Sequence, residues 1–294
     1  SMVAESGAEG IGLLRSEFMF MNREDLPTEE EQYEVIRDLV TAMHGQPVTI
    51  RSLDVGGDKA LDPVTCEMDD SAASALGLRG IRLSLAHTDV LETQFRAMLQ
   101  AANHGDVRIL LPMVSTVSEV RQARALLKKA AAKLKRRRIK LSDTLPPLGV
   151  MIEVPGAALA ADALAQASDF LAIGSNDLTM YTLAVDRANE HVAHLFDPLH
   201  PGVLRLIQFT AGAALRARIP LSICGEMAGD PRYTALLLGL GMRELSMTPA
   251  RIARVKRRIR EMDVIAASQR AELIMDQVDP GRIATLLDDF NALA

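Results

Sequence analysis

Short apolar runs recur along the chain, each followed by a longer stretch in which apolar residues return every third or fourth position. The short runs predict strands over Gly10–Leu14, Pro47–Leu53, Val107–Met113, Leu148–Val154, Phe170–Ile173, Pro220–Ile223 and Glu244–Met247. The longer stretches predict helices over Thr28–Met43, Asp89–Ala102, Val117–Leu134, Ala157–Ala167, Pro201–Ala217 and Pro231–Gly239. Two closing helices follow, Val264–Gln277 and Ile283–Leu293, on either side of a turn at Asp279-Pro280-Gly281. Each link between strands has room for one crossover helix, so the predicted class is parallel α/β. No Gly/Ser-rich or Pro-rich linker divides the chain, which predicts one domain over residues 3–294. Ser1-Met2 reads as an appended remnant, left out of the fold.

In a parallel α/β barrel the C-terminal strand ends build the active site, so the first polar residue after each strand matters most. Arg15 and Arg51 close two strands, Glu153 and Asp177 close two more, and Cys224 closes another. Glu153 and Asp177, from neighbouring strands with no base between them, would repel each other unless a cation neutralised them. Hard oxygen ligands select Mg²⁺ or Mn²⁺, which keeps places for water and a phosphorylated ligand. Arg15 and Arg51 offer planar forks suited to carboxylate and phosphate. At a strand end, Cys224 could serve as a nucleophile or as a proton donor.

Each of these residues also has a plain structural reading. Either arginine could form a rim salt bridge, and Glu153 could neutralise one of them. Asn176-Asp177 could cap the next helix, and Cys224 could be a small buried hydrophobe. Met19, Met21, Met151, Met180 and Met227 read as packing residues. Coincidence at five strand ends is the weaker explanation.

Composition narrows the partner. Hydrophobic residues make up 48% and charged residues 24% of the 294, an ordinary globular balance. Aromatics are only 3% and the net charge is −5, which argues against stacked-base and phosphate-backbone recognition and for a small ligand. The basic run Lys128–Lys140 reads as a solvated helix end, where cations are favoured. Of the six histidines none sits at zinc spacing with a cysteine. Cys66 and Cys224 do not suggest a disulfide framework, and no membrane span or signal pattern is present, so the cytoplasm is expected.

Longer motifs carry a resemblance. Gly7-Ala8-Glu9-Gly10-Ile11-Gly12-Leu13-Leu14-Arg15-Ser16-Glu17-Phe18, Ile50-Arg51-Ser52-Leu53-Asp54-Val55-Gly56-Gly57-Asp58-Lys59 and Gly149-Val150-Met151-Ile152-Glu153-Val154-Pro155 are three of them. The run from Ile173 to Arg187 and Cys224-Gly225-Glu226-Met227-Ala228-Gly229-Asp230 complete the set. The chain resembles the C-terminal phosphoenolpyruvate-binding domain of enzyme I of the bacterial sugar phosphotransferase system. That resemblance implies a (β/α)₈ TIM-type barrel of the phosphoenolpyruvate/pyruvate kind, here lacking its first strand–helix unit. It also implies Mg²⁺-dependent phosphoryl transfer from phosphoenolpyruvate to a histidine on an N-terminal portion that this chain does not contain. The small carrier HPr would receive the phosphoryl group for sugar uptake, pyruvate would be released, and the enzyme would act as a homodimer.

By the same resemblance Arg15, Arg51, Arg187 and Asn176 bind substrate, Glu153 and Asp177 hold the metal, and Cys224 gives a proton to enolpyruvate. Arg79 and Lys59 are further substrate-side candidates. Ser175 and Met180 stand where Thr and Gln are expected, and the stretch Cys66–Asp70 lacks the Asn-Pro expected before Leu76-Gly77. The barrels of pyruvate phosphate dikinase and phosphoenolpyruvate synthase share this metal–arginine–cysteine logic, but Leu53–Lys59 looks like enzyme I. A nitrogen-related paralogue of enzyme I resembles the chain almost as well. A non-catalytic module retaining the site would be set apart by failing to bind phosphoenolpyruvate with Mg²⁺.

Overall fold

A computed structural model describes residues 2–55 and 74–292, so Lys59 and Cys66 lie outside the described residues. The chain forms two compact units. The first holds Glu9–Met151 with Ala167–Asp169; the second holds Met2–Ala8, Ile152–Gln166 and the chain from Phe170 onward.

In the first unit, β1 (Ile11–Arg15), β2 (Val48–Arg51), β3 (Val107–Leu111) and β4 (Leu148–Ile152, up to Met151) pair in parallel in sequence order. Their faces bury Val48, Ile50, Ile109, Leu111, Leu148 and Val150. A short helix α1 (Met2–Glu5) belongs to the second unit. The helices of the first unit are α2 (Glu29–Ala42), α3 (Ile81–Ala86), α4 (Thr88–Ala101) and α5 (Val117–Arg136). Both α2 and α5 begin on a capping box, Thr28 with Glu31 and Thr116 with Glu119, which satisfies N–H groups that an open helix end leaves bare.

The second unit carries α6 (Pro155–Leu159), α7 (Ala161–Ala167, up to Gln166), β5 (Leu171–Gly174), α8 (Ser175–Leu183) and α9 (Pro201–Ala217). It continues through β6 (Leu221–Cys224), α10 (Pro231–Gly239), β7 (Glu244–Leu245), α11 (Pro249–Arg260), α12 (Val264–Met275) and α13 (Pro280–Ala292). β5, β6 and β7 are parallel and again in sequence order, with Ile173 opposite Ile223 and Ile223 opposite Leu245. The last helices are tied down by side chains. Arg232 on α10 makes a forked pair with Asp288 on α13 at 2.7 and 3.0 Å, and Asn291 donates to the Arg232 carbonyl.

Several expectations change. The helix expected over Ala157–Ala167 is two helices, broken at Ala160. The Asp279-Pro280-Gly281 turn is largely the start of α13, because proline is tolerated in a first helical turn. Met19, Met151 and Met227 are buried as expected, but Met21 is 50% exposed and packs no core. Beside Lys128–Lys140 there is a second strongly basic stretch, α11, which carries Arg251, Arg254, Lys256, Arg257, Arg258 and Arg260.

The basic run at the end of α5 is partly consumed within the fold. Lys129 and Lys133 both reach Glu92 on α4, and Arg137 reaches Glu29 on α2 at 2.6 Å. Burial works to raise the Glu92 pKa, but hydrogen bonds from Lys133 and Lys129 outweigh it and hold the carboxyl below the usual range. A carboxylate depressed in the folded state stabilises above its unfolded pKa, and that contribution is lost as pH falls through the folded value. Glu92→Gln is therefore expected to weaken the protein near neutrality and to flatten its loss of stability on acidification. Urea unfolding at about pH 7 and about pH 4 checks this, with the two curves converging at the lower pH. Among the described residues no helix is long and apolar enough to cross a membrane.

Candidate active site

In the first unit the register of β1 against β2 sets Arg15 opposite Arg51, so two guanidinium stems leave the sheet side by side. Their environments differ. Arg15 is exposed, and among the described residues its side chain makes no hydrogen bond or ion pair. Arg51 is 4% exposed and held by Glu17 at 3.1 Å and Asp54 at 3.0 Å, with Met151 Sδ at 3.8 Å from Nη1. Asp54 also receives a fork from Arg79, Nε to Oδ1 and Nη2 to Oδ2, each at 3.1 Å. Arg79 is 1% exposed, so this pair lies inside the fold.

Among the described residues, Arg51 and Arg79 thus share Asp54, with Glu17 also on Arg51, and pairing of this kind is how charge is tolerated away from water. Glu17 and Asp54, to which the sequence reading gave no role, are what fix Arg51. Their signal was position, since each follows a strand-end arginine by two or three residues.

In the second unit Glu153 lies one residue beyond the end of β4 and is 1% exposed. Asn176 and Asp177 fall in the first turn of α8, whose cap is Gly174 without a side-chain cap bond. The helix-capping reading of Asn176-Asp177 is therefore overturned. They sit in a first turn, where the peptide dipoles favour negative charge.

Asn176 is locked in one orientation. Its Oδ1 accepts the Glu226 N–H at 3.2 Å, and a backbone N–H can only donate, so its NH₂ is left to face other ligands. Ser175 Oγ donates to the Cys224 carbonyl at 2.8 Å, which joins the ends of β5 and β6 a second time. Gly225 makes this approach possible. Its φ is +99°, and a Cβ there would press on Ser175 Oγ and lie 3.0 Å from Asn176 Oδ1. Gly225→Ala is expected to cost about 1–3 kcal/mol of stability through strain and displacement of that hydrogen bond, measurable by denaturant unfolding.

Cys224 is a buried free cysteine, 8% exposed, whose Sγ donates to the Ile173 carbonyl at 3.4 Å. Arg187 is exposed and pairs with Glu226 at 3.1 Å, a contact that water screens. Glu226, a residue without an expected role, therefore orients Asn176 through its backbone and Arg187 through its side chain.

The donor set suits a hard divalent cation. Glu153 and Asp177 are carboxylates, and among the described residues no group of three or more His, Cys, Asp or Glu forms an all-protein cage. Carboxylates completed by water and ligand oxygens are the chemistry of an open divalent site rather than of a closed structural one. In the first unit the register sets Arg15 beside Arg51, and in the second Asn176 and Arg187 both meet Glu226, two residues after Cys224; Lys59 lies outside the described residues.

Comparison with known proteins gives the same direction. A family model described as "PEP-utilising enzyme, PEP-binding domain" matches residues 1–264. A phosphoenolpyruvate-protein phosphotransferase of Cupriavidus necator is 50% identical over 274 residues, 93% of this chain and 46% of that protein. Proteins of the same name from Listeria monocytogenes and Haemophilus influenzae are 40% and 42% identical over 99% and 97% of this chain. The chain spans about half the length of these relatives, at 46%, 50% and 49%.

Among solved structures, Haloferax volcanii malate synthase in its magnesium/glyoxylate complex has a TM-score of 0.55 at 14% identity, covering 88% of this chain and 67% of that one. Its pyruvate/acetyl-CoA ternary complex has a TM-score of 0.53 at 15% identity, covering 100% of this chain and 73% of that one. At that identity the likeness shows fold alone, the parallel α/β class of TIM-type barrel enzymes.

Proposed function

The chain belongs to the PEP-utilising enzymes, through their PEP-binding domain, and from that premise we propose that it is the substrate-binding part of a phosphoenolpyruvate-protein phosphotransferase. The carrying observation is the match of nearly the whole chain to relatives of that name at 40–50% identity. In this reading residues 3–294 act as one domain that binds phosphoenolpyruvate. Arg15, Arg51, Arg187 and Asn176 hold its phosphate and carboxylate, and Glu153 and Asp177 hold a divalent ion. The family uses a divalent metal, and the hard donors here make Mg²⁺ the choice, with Mn²⁺ able to replace it. When bound, the ion supplies positive charge against the phosphoryl and enol oxygens.

The protein's own groups do the rest. Arg15, with no competing partner among the described residues, is free to take a phosphate fork, while Arg51 is preset by Glu17 and Asp54. Arg187 exchanges its screened contact with Glu226 for the anion. Asn176 presents its NH₂. Arg79 acts from behind by holding Asp54, and Lys59 remains a candidate on sequence alone.

Breaking the bridging P–O bond sends the phosphoryl group to a histidine nitrogen outside this chain and leaves the enolate of pyruvate. The Cys224 S–H then gives its proton to the methylene carbon, and the sulfur recovers a proton from solvent. Positioning and charge stabilisation carry the phosphoryl step. HPr as the next acceptor, a role in sugar uptake, a homodimer and cytoplasmic residence complete the proposal.

Calorimetry tests it. The chain is expected to bind phosphoenolpyruvate with Mg²⁺ and not after chelation, and to form no stable phosphohistidine of its own. A folded chain without metal-dependent binding would overturn the reading in favour of a non-catalytic module.

A further inference from the structure

Gln94 lies on α4 and is 0% exposed. Its Oε1 accepts the Leu53 N–H at 2.9 Å, and its Nε2 donates to Ser16 Oγ at 3.0 Å. The Leu53 nitrogen can only donate, which fixes the amide's orientation and turns the NH₂ toward Ser16. Ser16 directly follows Arg15, Leu53 follows Arg51 by two residues, and Arg15 and Arg51 are register partners. One buried amide therefore ties together the two segments that follow the strand-end arginines. Ser16 and Leu53 are themselves 0% and 2% exposed, so no water competes for these bonds.

We infer that Gln94 is a positioning residue for anion binding, setting the separation and direction of Arg15 and Arg51 from a helix behind the site. The inference rests on the substrate-binding reading above. Arg15 is the group most exposed to its influence. Arg51 is clamped by Glu17 and Asp54, whereas the Arg15 side chain has no partner of its own among the described residues. Its aim follows its backbone, and that backbone is anchored through Ser16. Gln94→Met keeps length and bulk but removes both hydrogen bonds, leaving a buried donor at Leu53 and a buried hydroxyl at Ser16 to find new geometry.

The test separates anion binding from metal binding on the full chain. Phosphoenolpyruvate affinity at saturating Mg²⁺ is read by calorimetry, and Mn²⁺ affinity by electron paramagnetic resonance. Gln94→Met is expected to weaken phosphoenolpyruvate binding about tenfold. Ser16→Ala, which removes only one of the two bonds, is expected to weaken it about threefold. Mn²⁺ affinity stays at the wild-type value in both, because Glu153 and Asp177 belong to the other unit. A purely structural role would lower thermal stability without this split.

Should Gln94→Met fail to fold, Ser16→Ala decides alone. Phosphoenolpyruvate affinity within about twofold of wild type in the folded variants would overturn the inference. So would an equal loss of Mn²⁺ affinity. A wild-type chain with no metal-dependent binding would instead remove the functional reading, and this inference with it.

Discussion

Glu153→Gln and Asp177→Asn are each expected to raise the phosphoenolpyruvate dissociation constant by roughly a hundredfold in Mg²⁺, on the order of 3 kcal/mol, and to abolish the effect of chelation. Both changes keep shape and remove one negative charge. Glu153 is 1% exposed, and burying a carboxylate is costly unless its charge is paired or hydrogen-bonded. Asp177 sits in the first turn of α8, directly after β5, and is the second carboxylate of the proposed pair. Circular dichroism would establish that the variants are folded, and calorimetry with and without chelator would give the affinities. Wild-type metal dependence in either variant would remove that residue from the metal site.

Cys224→Ser is expected to leave phosphoenolpyruvate binding within about twofold of wild type while slowing pyruvate formation by roughly 10²–10⁴-fold, the usual worth of a positioned acid. Serine keeps the size of the side chain and its hydrogen bond to the Ile173 carbonyl, so the fold has no reason to change. Its hydroxyl is far less acidic than a thiol and gives its proton to carbon poorly. The assay uses a full-length protein carrying this chain, since the proposed phosphoryl acceptor lies outside it. Unchanged pyruvate formation would assign the proton to another group.

The strands were legible because buried parallel strands are short apolar runs whose first polar residue marks their end. That rule located Arg15, Arg51, Glu153 and Cys224 before any coordinates. α9 was legible to both ends, with Pro201 preset for a first turn and Arg218 in the left-handed conformation that stops the helix. α11 was not, because cations occupy most of its surface and only Val255 and Arg258 are buried. α8 was missed for a different reason: it begins directly at the end of β5, with no polar spacer to announce it.

Side-chain commitments were the least legible feature. Arg51, Arg79 and Arg15 look alike in sequence, yet one is clamped by two carboxylates, one is buried against Asp54 and one is exposed without a partner among the described residues. Those differences depend on Glu17, Asp54 and Gln94, whose contacts span from 3 to 78 residues in sequence. Gly225 was visible only as part of a motif, and its reason, the approach of Ser175 and Asn176, is a matter of three dimensions.

A crystal of the chain soaked with phosphoenolpyruvate and Mn²⁺, with the metal located by its anomalous signal, is the most direct test. The expected result is one Mn²⁺ bound by both Glu153 and Asp177 and one phosphoenolpyruvate whose oxygens meet that ion, Arg15, Arg51, Arg187 and the Asn176 NH₂, with Cys224 Sγ facing its methylene carbon. Metal bound elsewhere, or an anion held by none of these arginines, would contradict it.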